Sequence, residues 1–480
     1  MTVADLTKRE RMAMERTAMP VRPPSVRADD FDEVSLGYVR GLAILEASRC
    51  LNCKRPVCVE GCPVGVRIDE FIRLVAAGDT AAAAEVIASD NVLPAICGRV
   101  CPQEIQCEGA CVLAKKGRPI AIGHLERFVA DAERDHMAAP TPSEERTGLR
   151  VAVVGSGPAG LACAGDLVRR GHDVTVFEAL HELGGVLVYG IPPFRLPKEI
   201  VRAEVEALAD EGVEFVTDVL IGAGIGVREL MADEGFDAVF VGTGAGLPRF
   251  PGIEGEDLIG VSSANEFLTR VNLMHAHDPT SRTPVYDVDG RPVVVIGGGN
   301  TAVDAARTAL RLGAWPVTMV YRRSREEMPA RTEEITHAIE EGVVMRFLEA
   351  PVRFDGVDGC LSGLTIQHMR LGEADESGRR APEPIPESFD RLAADVAIVA
   401  IGNAPNPVLI RATEGLGVTD RGTIAVDPVT GATTIDGVFA GGDVATGGAT
   451  VILALAAGRR AAASIDAYLA ERTEPADLVT

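Results

Sequence analysis

Two regimes of hydrophobic patterning follow one another along this chain. In the first, apolar residues recur at helical spacing over Tyr38 to Arg49, Ile68 to Ala77 and Thr80 to Ser89, among many alanines, which predicts helices. In the second, short runs dominated by apolar residues take over: Leu149 to Val154, Asp173 to Phe177, Pro292 to Ile296, Val317 to Val320 and Val438 to Ala440. Runs of that length, bounded by glycine and polar residues, read as buried strands. Between the regimes, His136 to Gly148 is polar and rich in Pro, Ser and Thr, the mark of an exposed connection. The charged segment Glu373 to Glu387 reads as a solvated loop between strands. Met12, Met14 and Met19 fall in an N-terminal arm expected to be extended and packed on a neighbour.

The ends of the strand runs carry the first chemistry. After Leu149 to Val154 come Gly155, Gly157 and Gly160 in GSGPAG, then an alanine-rich helix. The first glycine permits the tight turn, the second lets a pyrophosphate approach the backbone, and the third lets helix pack on strand. The helix N-terminus then faces the anion. The next strand ends in Glu178, placed to accept hydrogen bonds from a ribose hydroxyl pair. The pattern recurs after Pro292 to Ile296, where Gly297, Gly299 and Ala302 in GGGNTA, with Asn300 and Thr301 between, open a helix over Ala302 to Leu312. Where an NAD site would carry an acid, this second unit has Tyr321, Arg322 and Arg323, and guanidinium groups there suit the 2′-phosphate of NADPH. A third glycine stretch follows Val438 to Ala440: Gly441, Gly442 and Asp443, then Thr450 and Val451 opening a long helix. Asp443 is expected on a ribityl hydroxyl, with Thr450 capping a helix whose positive end faces a flavin. Gly185 is also assigned to the cofactor contacts.

Eight cysteines crowd into the first regime, in loops between its predicted helices, as Cys50, Cys53, Cys58, Cys62 and Cys97, Cys101, Cys107, Cys111. Spacings of two, four and three residues, with Pro63 after Cys62 and Pro102 after Cys101, approach the run that holds iron–sulfur clusters. Disulfides fit poorly, because Met1 to Met19 is charged throughout and lacks a signal peptide's apolar centre. Zinc also fits poorly, since only Cys50 and Cys53 have knuckle spacing. The expected place is the cytoplasm. With 47 basic and 70 acidic side chains, the formal charge of −23 repels nucleic-acid phosphates and anionic headgroups. No apolar stretch approaches the roughly 20 residues that cross a bilayer.

Several strings together resemble one family: RCLNCK, GCPVGV, ICGRVCPQE, QCEGAC, IGHLERF, LVYGIPPFRLPKE and YRRSREEMP. The chain resembles the small subunit of NADPH-dependent glutamate synthase, and equally the large subunit of NADH-dependent ferredoxin:NADP oxidoreductase and the N-terminal part of dihydropyrimidine dehydrogenase. The resemblance implies an α/β fold in which a helical domain with two 4Fe-4S clusters precedes two Rossmann-like domains, as in thioredoxin reductase-like flavoproteins, with the NADPH domain inserted in the FAD domain. The expected limits are 1–140 for the iron–sulfur domain, 149–262 and 404–480 for the two parts of the FAD domain, and 263–403 for the NADPH domain. The resemblance further implies cross-ligation: Cys50, Cys53, Cys58 and Cys111 at one cluster, Cys62, Cys101 and Cys107 at the other, with Glu126 rather than Cys97 as fourth ligand. Cofactors would be FAD, NADPH and the two clusters, taking hydride from NADPH and releasing single electrons; no side chain is assigned a bond-making role. The chain has no redox Cys-x-x-Cys beside either glycine turn, since Cys163 lies in the first Rossmann helix and Cys360 in a predicted turn, so thioredoxin reductase activity is disfavoured. Glutamine amidotransfer and an FMN barrel would have to come from a larger catalytic subunit. The alternative partner is a small 2Fe-2S flavoprotein subunit, with ferredoxin as a further acceptor.

Overall fold

The computed structural model describes residues 6–134, 146–375 and 378–473; the predicted connection from His136 lies outside them except for Arg146 to Gly148. Two five-stranded parallel sheets dominate. One runs, in spatial order, Val438–Ala440, Ala238–Val241, Arg150–Val154, Asp173–Phe177, Glu214–Val216. The other runs Val261–Ser263, Val396–Val399, Val293–Ile296, Val317–Tyr321, Val344–Phe347. Both central strands are buried on two faces, which is why they read as unbroken apolar runs. Each leads through a glycine turn into a helix, Pro158–Arg169 in one sheet and Asn300–Arg311 in the other.

The strand Val438–Ala440 pairs in parallel with Ala238–Val241, and the helix after it, Val451–Thr473, packs along Pro158–Arg169. The last glycine stretch is thereby brought beside the first. At Gly458, in the middle of that long helix, a side chain would meet the Ala159 carbonyl at 2.1 Å, so the two helices touch backbone to backbone.

The cysteine-bearing part is helical, with Arg40–Ala47, Ile68–Ala77, Thr80–Asp90, Pro94–Val100 and Ile122–Glu133 around one core that includes Phe71, Ile87, Leu125 and Val129. Three expectations need correction. The cysteines are not confined to loops: Cys58, Cys97 and Cys107 lie within the short helices Val57–Glu60, Pro94–Val100 and Cys107–Ala110. The N-terminal arm begins as a helix, Lys8–Ala13, and Met12 and Met19 pack on this chain's own core. The charged segment from Glu373 is not a loop but mostly antiparallel hairpin, Cys360–Ala374 paired with Arg380–Leu392.

Residues 20–35 run as a strap from the helical part to the second sheet. Val34 donates its N–H to the Phe194 carbonyl at 3.0 Å, and Arg27 reaches Glu341 at 2.9 Å. Among the described residues, no helix is long and apolar enough to cross a membrane.

Candidate functional site

Both glycine turns open into one cleft of about 1470 Å³. A single drug-sized ligand occupies roughly 300–1,000 Å³, so this volume suits two nucleotide cofactors. Gly155, Gly157, Glu178, Gly185, Asp443, Thr450 and Val451 line one part; Gly297, Gly299, Asn300, Thr301, Tyr321, Arg322 and Arg323 line the other. Gly160, Ala302, Gly441 and Gly442 do not reach the cleft; they are packing positions behind it.

The residues present fit the cofactors. A Cβ built at Gly157 or Gly299 meets nothing within 4 Å, so each leaves open space before a helix N-terminus, where a pyrophosphate is held by backbone N–H groups. By contrast, a Cβ at Gly160 would lie 1.9 Å from the Gly155 carbonyl, and Gly155 itself has φ +103°. Glu178 is fixed at the strand end: one oxygen accepts from the Ser156 N–H at 2.9 Å and hydroxyl at 2.5 Å, the other from the Leu180 N–H at 2.9 Å. Asp443 accepts from the Ala449 N–H at 3.1 Å, and burial raises its carboxyl above the ordinary range against that bond. Thr450 caps its helix through the Leu453 N–H at 3.4 Å.

The two arginines of the second unit divide. Arg322 is exposed toward the cleft and has no hydrogen bond or ion pair among the described residues. Arg323 is 4% exposed and already committed, donating to the Arg380 carbonyl at 2.8 Å and to the Asp375 carboxylate. Of these two, Arg322 is the one free for a phosphate.

The thiols gather in two sets, seen in which groups act on which. Cys50 is raised by burial and then by Cys111 and Cys53. Cys58 is pushed up to about 12 by burial, then by Cys50 and Cys111. In the other set Cys62 is raised by burial and by Glu126 and Cys97, and Cys107 by burial, Glu108, Glu126 and Cys62. Cys101, despite a lowering bond from Cys97, is raised by burial, Glu126, Cys107 and Cys62. Burial also pushes Glu126 up to about 7, against a 2.9 Å bond from the Asn91 amide. No three His, Cys, Asp or Glu groups among the described residues converge on a point for one metal ion. Four soft thiolate donors, or three with a carboxylate, match the donor chemistry of an iron–sulfur cluster, which ionises thiols that burial otherwise keeps protonated.

Sequence reasoning missed the residues that join the cysteine loop to the cleft. Val100, Pro102 and Ile105 line the cleft directly. Arg331, just past the second unit's motif, donates to the Arg99 carbonyl at 2.7 Å and to Gln103 at 2.9 Å, while its own N–H binds the Asn300 side chain at 2.9 Å. From the other side, Glu204 accepts the Ala95 N–H at 2.6 Å at the start of the helix that carries Cys97. The one local signal was Ile105, a lone apolar residue between Glu104 and Gln106, which the structure leaves 76% exposed.

Comparison with known proteins agrees with this geometry. Residues 27–138 match the family described as dihydropyrimidine dehydrogenase domain II, 4Fe-4S cluster, and residues 149–458 the pyridine nucleotide-disulphide oxidoreductases. The glutamate synthase [NADPH] small chain of Escherichia coli is 36% identical over 95% of this chain and 98% of its own length. That of Halomonas elongata is 38% identical over 93% and 95%. The NADP(+)-dependent formate dehydrogenase subunit beta of Moorella thermoacetica is 39% identical over 87% of this chain and 60% of its own. Among solved structures, FprA of Mycobacterium tuberculosis superposes with a TM-score of 0.57 at 22% identity, covering 69% of this chain and 87% of FprA, which shows the shared fold. The chain belongs to the family of the NADPH-dependent glutamate synthase small chains and their oxidoreductase-subunit relatives.

Proposed function

We propose that this chain is the electron-input subunit of a glutamate synthase, drawing reducing equivalents from NADPH for a larger cytoplasmic partner that makes glutamate from glutamine and 2-oxoglutarate. The observation that carries this reading is the single cleft lined at once by both glycine turns and by Val100, Pro102 and Ile105 of the cysteine loop. When bound, FAD supplies hydride acceptance with one-electron release, and the 4Fe-4S clusters supply one-electron storage. In this proposal residues 149–262 and 404–480 form the FAD domain, 263–403 the NADPH domain and 1–140 the cluster domain, with the first boundary moved to before Val261 because the strand Val261–Ser263 pairs in the second sheet. Gly155, Gly157 and the N-terminus of Pro158–Arg169 hold one pyrophosphate, and Glu178 the adjoining ribose. Gly297, Gly299, Asn300 and Thr301 hold NADPH, and Arg322 its 2′-phosphate. Cys50, Cys53, Cys58 and Cys111 serve one cluster; Cys62, Cys101, Cys107 and Glu126 the other.

Two substitutions test the assignments. Arg322→Glu is expected to raise the KM for NADPH about tenfold to a hundredfold, the worth of one charged hydrogen-bonded contact, while the KM for NADH stays within about twofold. Steady-state kinetics with both nucleotides check it; an equal loss for both would remove Arg322 from the phosphate site. Glu126→Ala is expected to change the EPR signal of one cluster only, and Cys97→Ala to leave both signals intact. The reverse outcome would exchange the roles of the two residues.

A second reading is favoured by the Moorella relative, in which a matching stretch forms part of a longer subunit. In it the chain is the NADPH-binding subunit of another oxidoreductase, such as an electron-bifurcating transhydrogenase with a small 2Fe-2S flavoprotein. Anaerobic native purification with mass spectrometry of the copurifying chains separates the two. A large chain with an N-terminal cysteine amidotransferase supports the first reading; a small iron–sulfur flavoprotein supports the second.

A further inference from the structure

The basic residues of this chain are almost all arginine. Of 47 basic side chains only five are lysine: Lys8, Lys54, Lys115, Lys116 and Lys198. Lys198 is buried, donating to the Leu187 carbonyl at 2.8 Å. The other four are exposed, and all four surround one place, the outer face of the Cys50, Cys53, Cys58 and Cys111 set.

The contacts fix that placement. Lys54 follows Cys53 directly, and Lys115 and Lys116 end the short helix Val112–Lys116 that follows Cys111. Lys8 opens the helix Lys8–Ala13, which is tied to the same site by Arg11, donating to the Ser48 carbonyl at 2.6 Å and to the Cys50 carbonyl at 3.2 Å. Lys116 closes the ring, its ammonium 3.9 Å from the Met12 sulfur on that helix.

The charge here is in excess. Arg55 is paired with Glu60 at 2.9 Å and Arg118 with Glu15, while the Glu10 carboxylate, held by the neutral Thr7 cap at 2.7 Å, offsets one further charge. No described carboxylate forms an ion pair with Lys8, Arg9, Lys54, Lys115 or Lys116. Five free cations thus ring one site on a chain whose formal charge is −23. Val112, next in the chain to Cys111, is 44% exposed and adds an apolar spot to this charged face.

We propose that this lysine ring is the docking face for a protein that presents an acidic surface around its own one-electron acceptor. The proposal rests on the electron-input reading above and names the face through which the chain meets its acceptor. Lysine suits a transient encounter, because its ammonium is a compact, strongly hydrated charge on a flexible stem, which steers a partner without locking it in the fixed fork geometry of arginine. The strongly acidic remainder of the molecule repels the same partner elsewhere, so attraction is confined to the place where the electron path is shortest.

The test uses the intact holoenzyme, a plant-type acidic 2Fe-2S ferredoxin as probe, and two triple variants. Lys54→Gln/Lys115→Gln/Lys116→Gln removes charge; Lys54→Arg/Lys115→Arg/Lys116→Arg keeps it. Binding is measured by surface plasmon resonance at about 20 mM and about 300 mM salt, across which the Debye length shrinks from roughly 20 Å to roughly 6 Å. The glutamine variant is expected to lose about tenfold in association rate at low salt, and the arginine variant to keep it. All three proteins are expected to converge at high salt and to show the same flavin bleaching by NADPH. Equal binding by all three, or no binding of the probe by the unmodified protein, overturns the proposal. Neither result touches the electron-input reading, which flavin bleaching and the copurifying chain decide separately.

Discussion

Glu341→Ala is expected to lower the stability of the second parallel sheet and its strap by about 3–5 kcal/mol, the usual cost of removing one partner from a buried charge network. The Glu341 side chain is fully buried and accepts from Arg27 at 2.9 Å, from Arg307 at 2.9 and 2.7 Å, and from Arg311 at 2.8 Å. Without it, three guanidinium groups lose their shared carboxylate. Glu334 and Glu340 still hold Arg307 and Arg27, but Arg311 keeps no carboxylate, only carbonyls and the Phe194 ring at 3.9 Å. Thermal unfolding and protease sensitivity of residues 20–35 measure the effect; a loss below about 1 kcal/mol would mean that packing, not the ion network, holds the strap.

The same network sets an acid limit. Burial opposes ionisation of Glu341, yet Arg307 and Arg311 outweigh it and hold the carboxyl down at about 2; Arg195 and Arg307 do the same for Glu334. Because these folded-state values lie below the ordinary 4.5, their stabilisation is complete above that value and is lost as pH falls from there toward 2. Acid titration of Glu341→Gln is therefore expected to be flatter over that window than that of the unmodified protein.

Gly160→Val is expected to yield protein without flavin. Its Cβ would fall 1.9 Å from the Gly155 carbonyl and 3.2 Å from a Val153 methyl group, so strand and helix must separate at the turn proposed above to hold the pyrophosphate. The nearest contact is backbone, which cannot swing aside as a flexible side chain would. Gly157→Ala is the informative contrast: its added methyl meets no protein atom within 4 Å and intrudes only where the ligand sits. It should fold normally and bind FAD more weakly. Flavin absorbance of the purified proteins, with circular dichroism for folding, checks both; full flavin content in Gly160→Val would show that the turn relaxes.

What was legible in the sequence was what is local. The strand Asp173–Phe177 and the helix Ile68–Ala77 fall where periodicity alone put them, since burial on one face or two writes itself into neighbouring residues. The glycine turns were legible for the same reason. The hairpin of Cys360–Ala374 and Arg380–Leu392 was not. Its charged residues pair across strands, as Arg370 does with Glu383 at 3.0 Å, so a solvated sheet carries the composition of a loop. Nor was the partition of Arg322 from Arg323 legible, because it depends on a carbonyl 57 residues away. The strap's Arg27 finds its carboxylates, Glu341 and Glu340, more than 300 positions along the chain, a distance at which no pattern operates.

The clasp made by Arg331 constrains how modules of this kind can be exchanged. One residue joins the Asn300 side chain of the second glycine turn to Arg99 and Gln103 of the cysteine loop, and Glu204, on the helix Lys198–Asp210, anchors the same loop from the other side. A chimera that grafts a foreign cluster segment onto these nucleotide-binding sheets would keep the bonds to the Arg99 carbonyl and the Ala95 N–H if its backbone followed the same course, and the third only if it kept Gln103. The parts of the chain are thus matched more by backbone course than by side-chain identity.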